Sequence, residues 1–259
     1  MPEGDVVWQT ARRLHKALAG RRLTRSDFRV PRLATVDLTG DVVTETVSRG
    51  KHLLTRTRNG LTVHTHLRMD GTWRVQPAAD RIRDGHRIRL VLANEDWQAI
   101  GYQLGVVELI HTSEESQVTG HLGPDLLGSD WDSDEAVRRL SAEPDRPIGE
   151  ALLDQRNLAG IGNVYKAEVL FLRGLNPWQP TGAVPDLGAL VNLARRLLEA
   201  NKERRGHVTT GNWQRGQEHW VYGRAGRPCR RCGSVIRRGE QGPPGQERIR
   251  FWCPSCQPG

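Results

Sequence analysis

Apolar residues near the start of the chain recur with a helical period. They occupy positions spaced by four, three and four residues: Val7, Ala11, Leu14 and Leu18. Residues at these intervals lie on one face of a helix, and the basic residues between them lie on the other. The pattern predicts an amphipathic helix over residues 5–19.

Between residues 22 and 110, apolar positions alternate with polar ones, which is typical of strands with one buried face. The turn pairs Asn59-Gly60 and Asp70-Gly71 separate such segments. The alternating segments are 51–57, 61–67, 72–75, 86–93, 97–100 and 104–110. Short strands at even spacing predict a β-sandwich or a flattened barrel.

The second half of the chain has mainly helical patterns. Residues 114–145 are rich in Asp, Glu and turn tripeptides, which indicates a connection between domains. Helical patterns follow at 134–140, 148–154, 164–172 and 187–200, and the end of the chain is rich in turns. We therefore predict an α+β protein with four parts: an N-terminal helix and β-sandwich domain (1–112), a linker (113–132), a helical domain (133–224) and a C-terminal β-hairpin (225–259).

The composition of the 259 residues is that of a folded protein, with 37% hydrophobic residues and 28 glycines. Apolar runs are all shorter than the roughly 18 residues of a membrane helix. The start lacks the basic and then apolar segments of a signal peptide. The four cysteines all lie within residues 229–256 and do not form a framework of disulfides across the chain. These features predict a cytoplasmic protein that does not bind membranes.

The net charge of +8 lies in the last quarter of the chain. Residues 201–259 contain twelve Lys and Arg and four Asp and Glu, whereas the charges of residues 1–200 balance. A local basic region is typical of a binding site for a polyanion. A solvated, Arg-rich surface has the same composition, so the charge alone leaves both interpretations open.

Two Cys-x-x-Cys pairs near the end of the chain have the spacing of a metal site. Cys229 and Cys232 are separated by 20 residues from Cys253 and Cys256. Four thiolates at this spacing favour tetrahedral Zn²⁺, with an iron site or redox dithiols as alternatives. Four sulfur ligands leave no position for water, so we expect the zinc to be structural and to fix a short hairpin. That hairpin would display the arginines of its turn: Arg237, Arg238, Arg248 and Arg250.

A further candidate anion site precedes the predicted helix 164–172. Gly160 and Gly162 permit tight turns, and Asn163 lies where an N-cap residue is expected. Backbone N–H groups and the helix dipole favour a phosphate at such an end. An ordinary glycine-rich connection has the same sequence, so this motif alone is weak.

Pro2 and Glu3 directly follow the initiator methionine. Removal of Met1 leaves Pro2 with a secondary amine, and α-amino groups with a pKa of about 7.7–8.0 are partly unprotonated at neutral pH. Such an amine can attack an aldehyde-like carbon, and Glu3 can move protons beside it. In isolation, the pair is far more often just an ordinary start sequence, and only further context changes this.

Five segments in this order resemble the formamidopyrimidine-DNA glycosylase and endonuclease VIII family. They are MPEG at the start, SRGKHLL at 48–54, LLDQRNLAGIGNVYKAEVLF at 152–171, PCRRCGSVI at 228–236 and RIRFWCPSCQ at 248–257. The first two look more like the endonuclease VIII branch. The resemblance spans the whole chain and implies a monomeric DNA glycosylase and abasic-site lyase with a helix–two-turns–helix motif and a zinc finger.

The resemblance also implies the catalytic roles. Pro2 matches the nucleophile that attacks C1′ of the damaged nucleotide and forms an iminium intermediate. Glu3 matches the acid/base group that assists ring opening and elimination on both sides of the sugar. Lys51 matches the lysine that contacts the phosphate near the lesion. The implied outcome is a gap of one nucleotide.

The remaining roles concern the grip on flipped-out DNA. Asn163 and Arg248 match the pair that holds the phosphates flanking the lesion, and Glu168 matches a carboxylate with a structural or lesion-contacting role. Met69 matches the first residue that fills the void in the duplex. Where many relatives carry Arg and Phe as further void fillers, this chain has GYQLG at 101–105, so Tyr102, Gln103 and Leu104 are the candidates.

The preferred interpretation is therefore excision of oxidised bases, with pyrimidines favoured over purines, by a protein associated with the nucleoid. Two other classes stay open. One is a catalytically silent protein of the same fold that binds DNA lesions, and the other is a zinc-ribbon protein that binds RNA, which leaves Pro2 and Glu3 unexplained. Trapping of a covalent adduct at residue 2 separates the enzyme from the silent binder.

Overall fold

The computed structural model describes residues 2–83, 85–204, 206–242, 245 and 247–259. The chain forms two compact units, Met1–His121 and Leu122–Gly259. The boundary lies inside the segment 113–132 that the sequence predicts as a linker. The predicted divisions at 112, 132 and 224 stay predictions.

The first unit contains one long helix and two antiparallel sheets. Helix α1 covers Gly4–Leu18. The strands are β1 (Arg25–Phe28), β2 (Val43–Arg49), β3 (His52–Thr57), β4 (Leu61–His66), β5 (Thr72–Pro77), β6 (Ile88–Ala93), β7 (Trp97–Tyr102) and β8 (Val106–His111). The sheets have the strand orders β1-β6-β7-β5 and β2-β3-β4-β8. The prediction of an N-terminal helix with a β-sandwich is confirmed.

The core of this unit lies between the helix and the two sheets. The four apolar residues that predict helix α1 are all buried, at 4% exposure or less. They pack in one cluster with Leu53 and Val63 of one sheet and Leu90 and Leu92 of the other. Burial of each such side chain contributes about 1.5–3 kcal/mol, so this cluster holds the sheets in place.

The first residues of the predicted linker pack on the first unit. Helix α2 (Ser116–Thr119) follows a 3-10 turn at Thr112–Glu114. Glu115 accepts hydrogen bonds from Arg56 at 2.7 and 2.8 Å and from Thr62 at 2.7 Å. Glu115, which the sequence places in a linker, is therefore an ion-pair partner of a residue on strand β3. The sequence does not predict this pair, because Arg56 lies far from Glu115 along the chain.

The second unit is helical and ends in a hairpin. Its helices are α3 (Ser133–Ser141), α4 (Ile148–Ala151), α5 (Asn163–Arg173) and α6 (Leu187–Asn201), and strands β9 (Arg237–Gln241) and β10 (Arg248–Trp252) form the hairpin. Leu140, Leu170 and Leu190 lie in a buried cluster between the helices. Helix α4 ends earlier than the predicted 148–154 because the Asp154 carboxylate accepts a hydrogen bond from the Arg156 N–H at 3.0 Å and begins a turn. None of the described helices is both long and apolar enough to cross a bilayer.

Candidate active site and DNA-contacting residues

The start of the chain is fixed at the N-terminal end of helix α1. Glu3 is the N-cap residue, in an extended conformation, and its carbonyl oxygen accepts a hydrogen bond from Val7 N–H at 3.0 Å. Its side chain is 1% exposed, while Pro2 is half-buried. The positive end of a helix dipole stabilises a carboxylate at this position. Glu3 is therefore held rigidly beside Pro2.

Lys51 lies in the turn that joins strands β2 and β3. Arg49 pairs with His52, so Gly50 and Lys51 form a two-residue turn, and Gly50 has a φ of +55°. Glycine adopts this left-handed conformation without a steric penalty. Lys51 is 7% exposed. The hairpin register thus fixes the position of a buried lysine at the end of the sheet.

A cluster of histidines next to Lys51 was missed by the sequence analysis. His52, His64 and His66 lie on one face of the β2-β3-β4-β8 sheet, with ring centroids of His52 5.0 Å from those of both others. Burial first, and then the neighbouring rings of His64, His66 and His121 and the guanidinium of Arg68, lower the pKa of His52 to about 3. Alternating histidines at 64 and 66, opposite His52 across the Asn59-Gly60 turn, are the pattern that could have revealed this cluster.

The charges at the Lys51 turn also affect His66. Burial, followed by Arg68 and Lys51, lowers the pKa of His66 to about 4. Neutral imidazole is thus the stable form of both His52 and His66 at physiological pH. The site combines a cationic turn with uncharged rings.

Met69 projects from the loop between β4 and β5. Its side chain is 58% exposed. Arg68, before it, has a φ of +55°, and a Cβ on Gly71 would lie 2.4 Å from the carbonyl oxygen of Leu67. The turn therefore requires glycine at 71 and holds an apolar side chain out in solvent. This exposure is compatible with the predicted insertion of Met69 into DNA.

The three candidates for a second void-filling residue, Tyr102, Gln103 and Leu104, differ in how exposed they are. Leu104 is 6% exposed and covers Gly101, where an added Cβ would lie 2.5 Å from Leu104 Cδ1. Tyr102 is half-buried, and its hydroxyl donates to the Arg83 carbonyl oxygen at 3.2 Å. Gln103 is exposed with a φ of +47°. Gln103 is the candidate whose side chain is available.

In the second unit, Asn163 joins helix α5 to the hairpin. The predicted N-cap role is wrong: Gly162 is the N-cap residue, without a side-chain cap. Asn163 is the first helical residue, and its Nδ2 donates to the carbonyl oxygen of Ile249 at 2.9 Å, while its Oδ1 accepts from Arg250 at 3.2 Å. The Asn163 side chain thus connects helix α5 to strand β10, across 86 residues of sequence. The spacing of residues along the chain does not predict such a contact.

The structure separates the arginines of the hairpin. Arg237, Arg238 and Arg248 are exposed, as predicted. Arg250 is 1% exposed and donates through Nε to Gln241 Oε1 at 2.7 Å, so its predicted display is wrong. Burial lowers its pKa to about 10. Arg248 and Arg250 are two residues apart on β10, and the contacts of Arg250 with Gln241 and Asn163 hold only Arg250 in the interior.

Glu168 is fully buried on helix α5. Its oxygens accept hydrogen bonds from the N–H groups of Trp220, Val221 and Tyr222 at 2.8–2.9 Å and from the hydroxyl of Thr209. A carboxylate with this many donors is satisfied without leaving the core. Of the two predicted roles, these contacts favour the structural one, which orders the segment 209–222.

The four cysteine sulfurs lie within 4.8 Å of one another and could hold a metal ion. The Sγ atoms of Cys229 and Cys256 are 4.0 Å apart, and those of Cys232 and Cys253 are 3.4 Å apart. A tetrahedron with Zn–S bonds of about 2.3 Å has sulfurs about 3.8 Å apart. The Arg231 N–H donates to Cys229 Sγ at 3.4 Å, as expected for a thiolate ligand in a tight turn.

Comparison with known proteins gives matches along the chain. The family model "Formamidopyrimidine-DNA glycosylase N-terminal domain" matches residues 1–102, and "Formamidopyrimidine-DNA glycosylase H2TH domain" matches residues 122–210. A probable endonuclease 8 2 from Streptomyces coelicolor is 59% identical, over 100% of this chain and 95% of the relative. A DNA-(apurinic or apyrimidinic site) lyase from Mycolicibacterium smegmatis is 48% identical, over 99% of each chain.

Solved structures with the same fold hold DNA. The formamidopyrimidine-DNA glycosylase of Lactococcus lactis, bound non-covalently to DNA with an abasic site, has a TM-score of 0.83 and 25% identity over 99% of this chain and 100% of its own. The same enzyme in complex with DNA containing an oxidised pyrimidine has a TM-score of 0.83 and 26% identity over 100% of both chains.

Proposed function

The chain belongs to the formamidopyrimidine-DNA glycosylase and endonuclease VIII family, and on this basis we propose that it excises oxidised bases from DNA and cleaves the resulting abasic site. It is a DNA glycosylase and abasic-site lyase of base excision repair. The observation that carries this conclusion is the similarity over the full chain to relatives named endonuclease 8 and DNA-(apurinic or apyrimidinic site) lyase.

In the proposed mechanism, the Pro2 amine attacks C1′ of the damaged nucleotide. A bond forms between nitrogen and C1′ as the bond from C1′ to the base breaks, and the base leaves with that electron pair. The nitrogen loses its proton, and its lone pair then forms the iminium as the bond from C1′ to the ring oxygen breaks. Glu3 protonates the ring oxygen as the sugar opens, and then assists elimination of the 3′ and 5′ phosphates. The rigid placement of Glu3 at the start of helix α1 supports this role, because proton transfer requires a fixed geometry.

We assign the phosphate contacts to Lys51, Asn163 and Arg248. Lys51 has a fixed position in its turn, and Arg248 is exposed on the strand whose Ile249 carbonyl Asn163 binds. An enzyme that flips a nucleotide must hold the backbone on both sides of it. Met69 and Gln103 then fill the space that the base leaves.

We propose that the four cysteines bind one structural Zn²⁺. The near-tetrahedral sulfur spacing supports zinc, and four thiolates leave no site for substrate. The metal would hold the two cysteine turns at the base of the hairpin, so the residues of β9 and β10 keep their positions.

The substrate class that we favour is oxidised pyrimidines. The likeness of MPEG and SRGKHLL to the endonuclease VIII branch supports it, and a structural neighbour has been solved in complex with DNA that contains an oxidised pyrimidine. We further propose that the protein acts as a monomer in the cytoplasm, on the DNA of the nucleoid.

The test is borohydride trapping on DNA with an abasic site. Protein with Met1 removed should form a covalent adduct and cut the strand, whereas the same chain with a blocked N-terminus should bind DNA without doing either. Intact mass of each preparation confirms the state of its N-terminus. Strand cleavage by the blocked protein would contradict the role of Pro2, and binding without any trapped adduct in the unblocked protein would identify a silent lesion binder.

A further inference from the structure

The sheet that carries Lys51 also holds a chain of titratable side chains. His52, the residue after Lys51, has its Nδ1 2.8 Å from Nε2 of His64. His64 Nδ1 in turn lies 2.8 Å from a carboxylate oxygen of Glu108 on strand β8. We propose that His52, His64 and Glu108 form a proton relay from the Lys51 turn to the surface, a role that rests on the lyase activity proposed above.

Hydrogen-bond chemistry fixes where the protons lie. An ionised carboxylate only accepts, so His64 carries a proton on Nδ1. When His64 is neutral, its Nε2 accepts, and His52 must carry its own proton on Nδ1. When His64 holds two protons, it donates to both neighbours, and the proton of His52 must lie on Nε2. The outer nitrogen of His52 therefore changes from an acceptor to a donor with the charge of His64.

Proton transfer along this chain is balanced. A proton that binds His52 Nε2 releases the Nδ1 proton to His64 Nε2, and the His64 Nδ1 proton passes to Glu108. The bonds that form are His52 Nε2–H, His64 Nε2–H and the O–H of Glu108. The bonds that break are His52 Nδ1–H, His64 Nδ1–H and the bond to hydrogen in the group that supplies the proton. Each elimination step of a lyase removes one proton from the sugar, and this route carries it away from the reacting carbon.

The ends of the chain differ in their access to solvent. The inner end, His52, is half-buried and the middle ring, His64, is 3% exposed, whereas the side chain of Glu108 is 51% exposed. Other polar groups on the same sheet face are satisfied by groups that do not titrate near neutral pH, such as the hydroxyl pair of Thr62 and Thr112 at 3.0 Å. Hydrogen-bonded, proton-accepting groups that run without a gap from a half-buried ring to a solvent-exposed carboxylate are what a relay requires.

Burial first, and then the surrounding charges, keep the rings of His52 and His66 neutral. The groups that act on His52 and His66 are the cations Lys51 and Arg68 and the rings of His64 and His121. Glu108 faces His64, and Glu115 is also within electrostatic range of it. The acidic groups thus lie at the His64 end and the cations at the His52 end, so a proton is drawn outward, away from Lys51.

The direct test is the position of the His52 proton. Nitrogen-15 NMR of the full chain distinguishes a ring protonated on Nδ1 from one protonated on Nε2. We expect the His52 proton to lie on Nδ1 in the state with one proton on His64 and on Nε2 in the state with two, both read from spectra recorded over a series of pH values. A His52 proton that stays on the same nitrogen in both states of His64 overturns the proposal.

The kinetic test uses Glu108→Gln, which keeps a hydrogen-bond acceptor for His64 and cannot take up the proton. The single-turnover rate of abasic-site cleavage should fall roughly tenfold and should change its dependence on pH. The amount of adduct trapped with borohydride should not change, because iminium formation precedes elimination. The matched control is Glu45→Gln, which removes one carboxylate from the same sheet face, where Glu45 pairs with Arg56 at 2.7 Å.

The outcomes separate the two proposals. Cleavage by Glu108→Gln that equals that of Glu45→Gln at every pH refutes the relay. Absence of both adduct and cleavage in the wild-type protein refutes the proposed function instead, and the NMR experiment then still decides whether the proton of His52 moves.

Discussion

At the scale of the residue, the neutral histidines make folding sensitive to acid. The pKa of His52 is lowered from 6.5 to about 3 and that of His66 to about 4, chiefly by burial. Between these values and 6.5, the unfolded chain binds more protons than the folded chain, so the free energy of unfolding rises with pH. Lowering the pH from about 7 to about 5 should therefore destabilise the protein.

Replacement of His52 by Gln should remove part of this acid sensitivity. Urea denaturation at the two pH values measures it as the difference in free energy of unfolding, and His86→Gln is the control because His86 is exposed. If His52→Gln and the wild type lose the same free energy between the two pH values, His52 is not neutral in the folded state as described.

The sequence identified individual residues best where their chemistry does not depend on distant partners. The four cysteines at zinc spacing are the example, because their sulfurs lie together and could hold a metal ion. Met69 is exposed, and its insertion into DNA stays a prediction. The sequence predicts that Arg250 lies at the surface, because it is an arginine of the hairpin like Arg237, Arg238 and Arg248. Its burial depends on Gln241 and Asn163, and neither partner follows from local pattern.

At the scale of the element, the hairpin of β9 and β10 can be tested by its charges. Arg248→Ala should weaken binding to all DNA sequences and lower the slope of log affinity against log salt by about one. Arg237→Ala removes the same charge from another exposed position of the hairpin and serves as the control. Equal slopes for the two variants would show that Arg248 has no particular phosphate contact.

Removal of the metal should loosen the hairpin while the first unit stays folded. A chelator should release one zinc per chain and weaken DNA binding, and added zinc should restore it. Trp252 reports the change by fluorescence, because it lies on β10 with its ring 4.6 Å from that of Trp178. Binding that is unaffected by complete loss of the metal would contradict a structural role for it.

Elements with a clear period were predictable, and their ends were less so. Helix α1 and the strands follow from the spacing of apolar residues, because the core requires that spacing. The early end of α4 and the place of Asn163 depend on side chains that bind backbone groups. Such contacts join individual atoms, and they produce no periodic pattern of apolar residues from which they could be predicted.

At the scale of the whole molecule, each unit has its own apolar core, and a separate family model matches each. The charge is nevertheless unequal, since the excess of basic residues lies in 201–259. The α+β organisation was predictable because strand and helix patterns occupy different halves of the chain. Which base is excised depends on side chains from several loops, which the sequence alone does not bring together.

The choice of substrate is tested with a panel of duplexes that each contain one lesion. We expect faster release of oxidised pyrimidines than of 8-oxoguanine. Gln103→Ala should alter the dependence of this rate on the opposite base, with Gln117→Ala as a control because Gln117 is likewise exposed, on helix α2. Faster release of 8-oxoguanine would reverse the assignment of lesion class.

The side-chain amide of Asn163 links the beginning of helix α5 to strand β10 through a hydrogen bond to the Ile249 carbonyl oxygen. Through the hydrogen bond to the Ile249 carbonyl, a displacement of the strand would move the start of the helix, so the phosphate contacts proposed for Asn163 and Arg248 would form and break together. Residence time on DNA would then be set by one cooperative escape event. Asn163→Ala would remove this hydrogen bond, and the contacts at the helix and at the strand would then break one after the other.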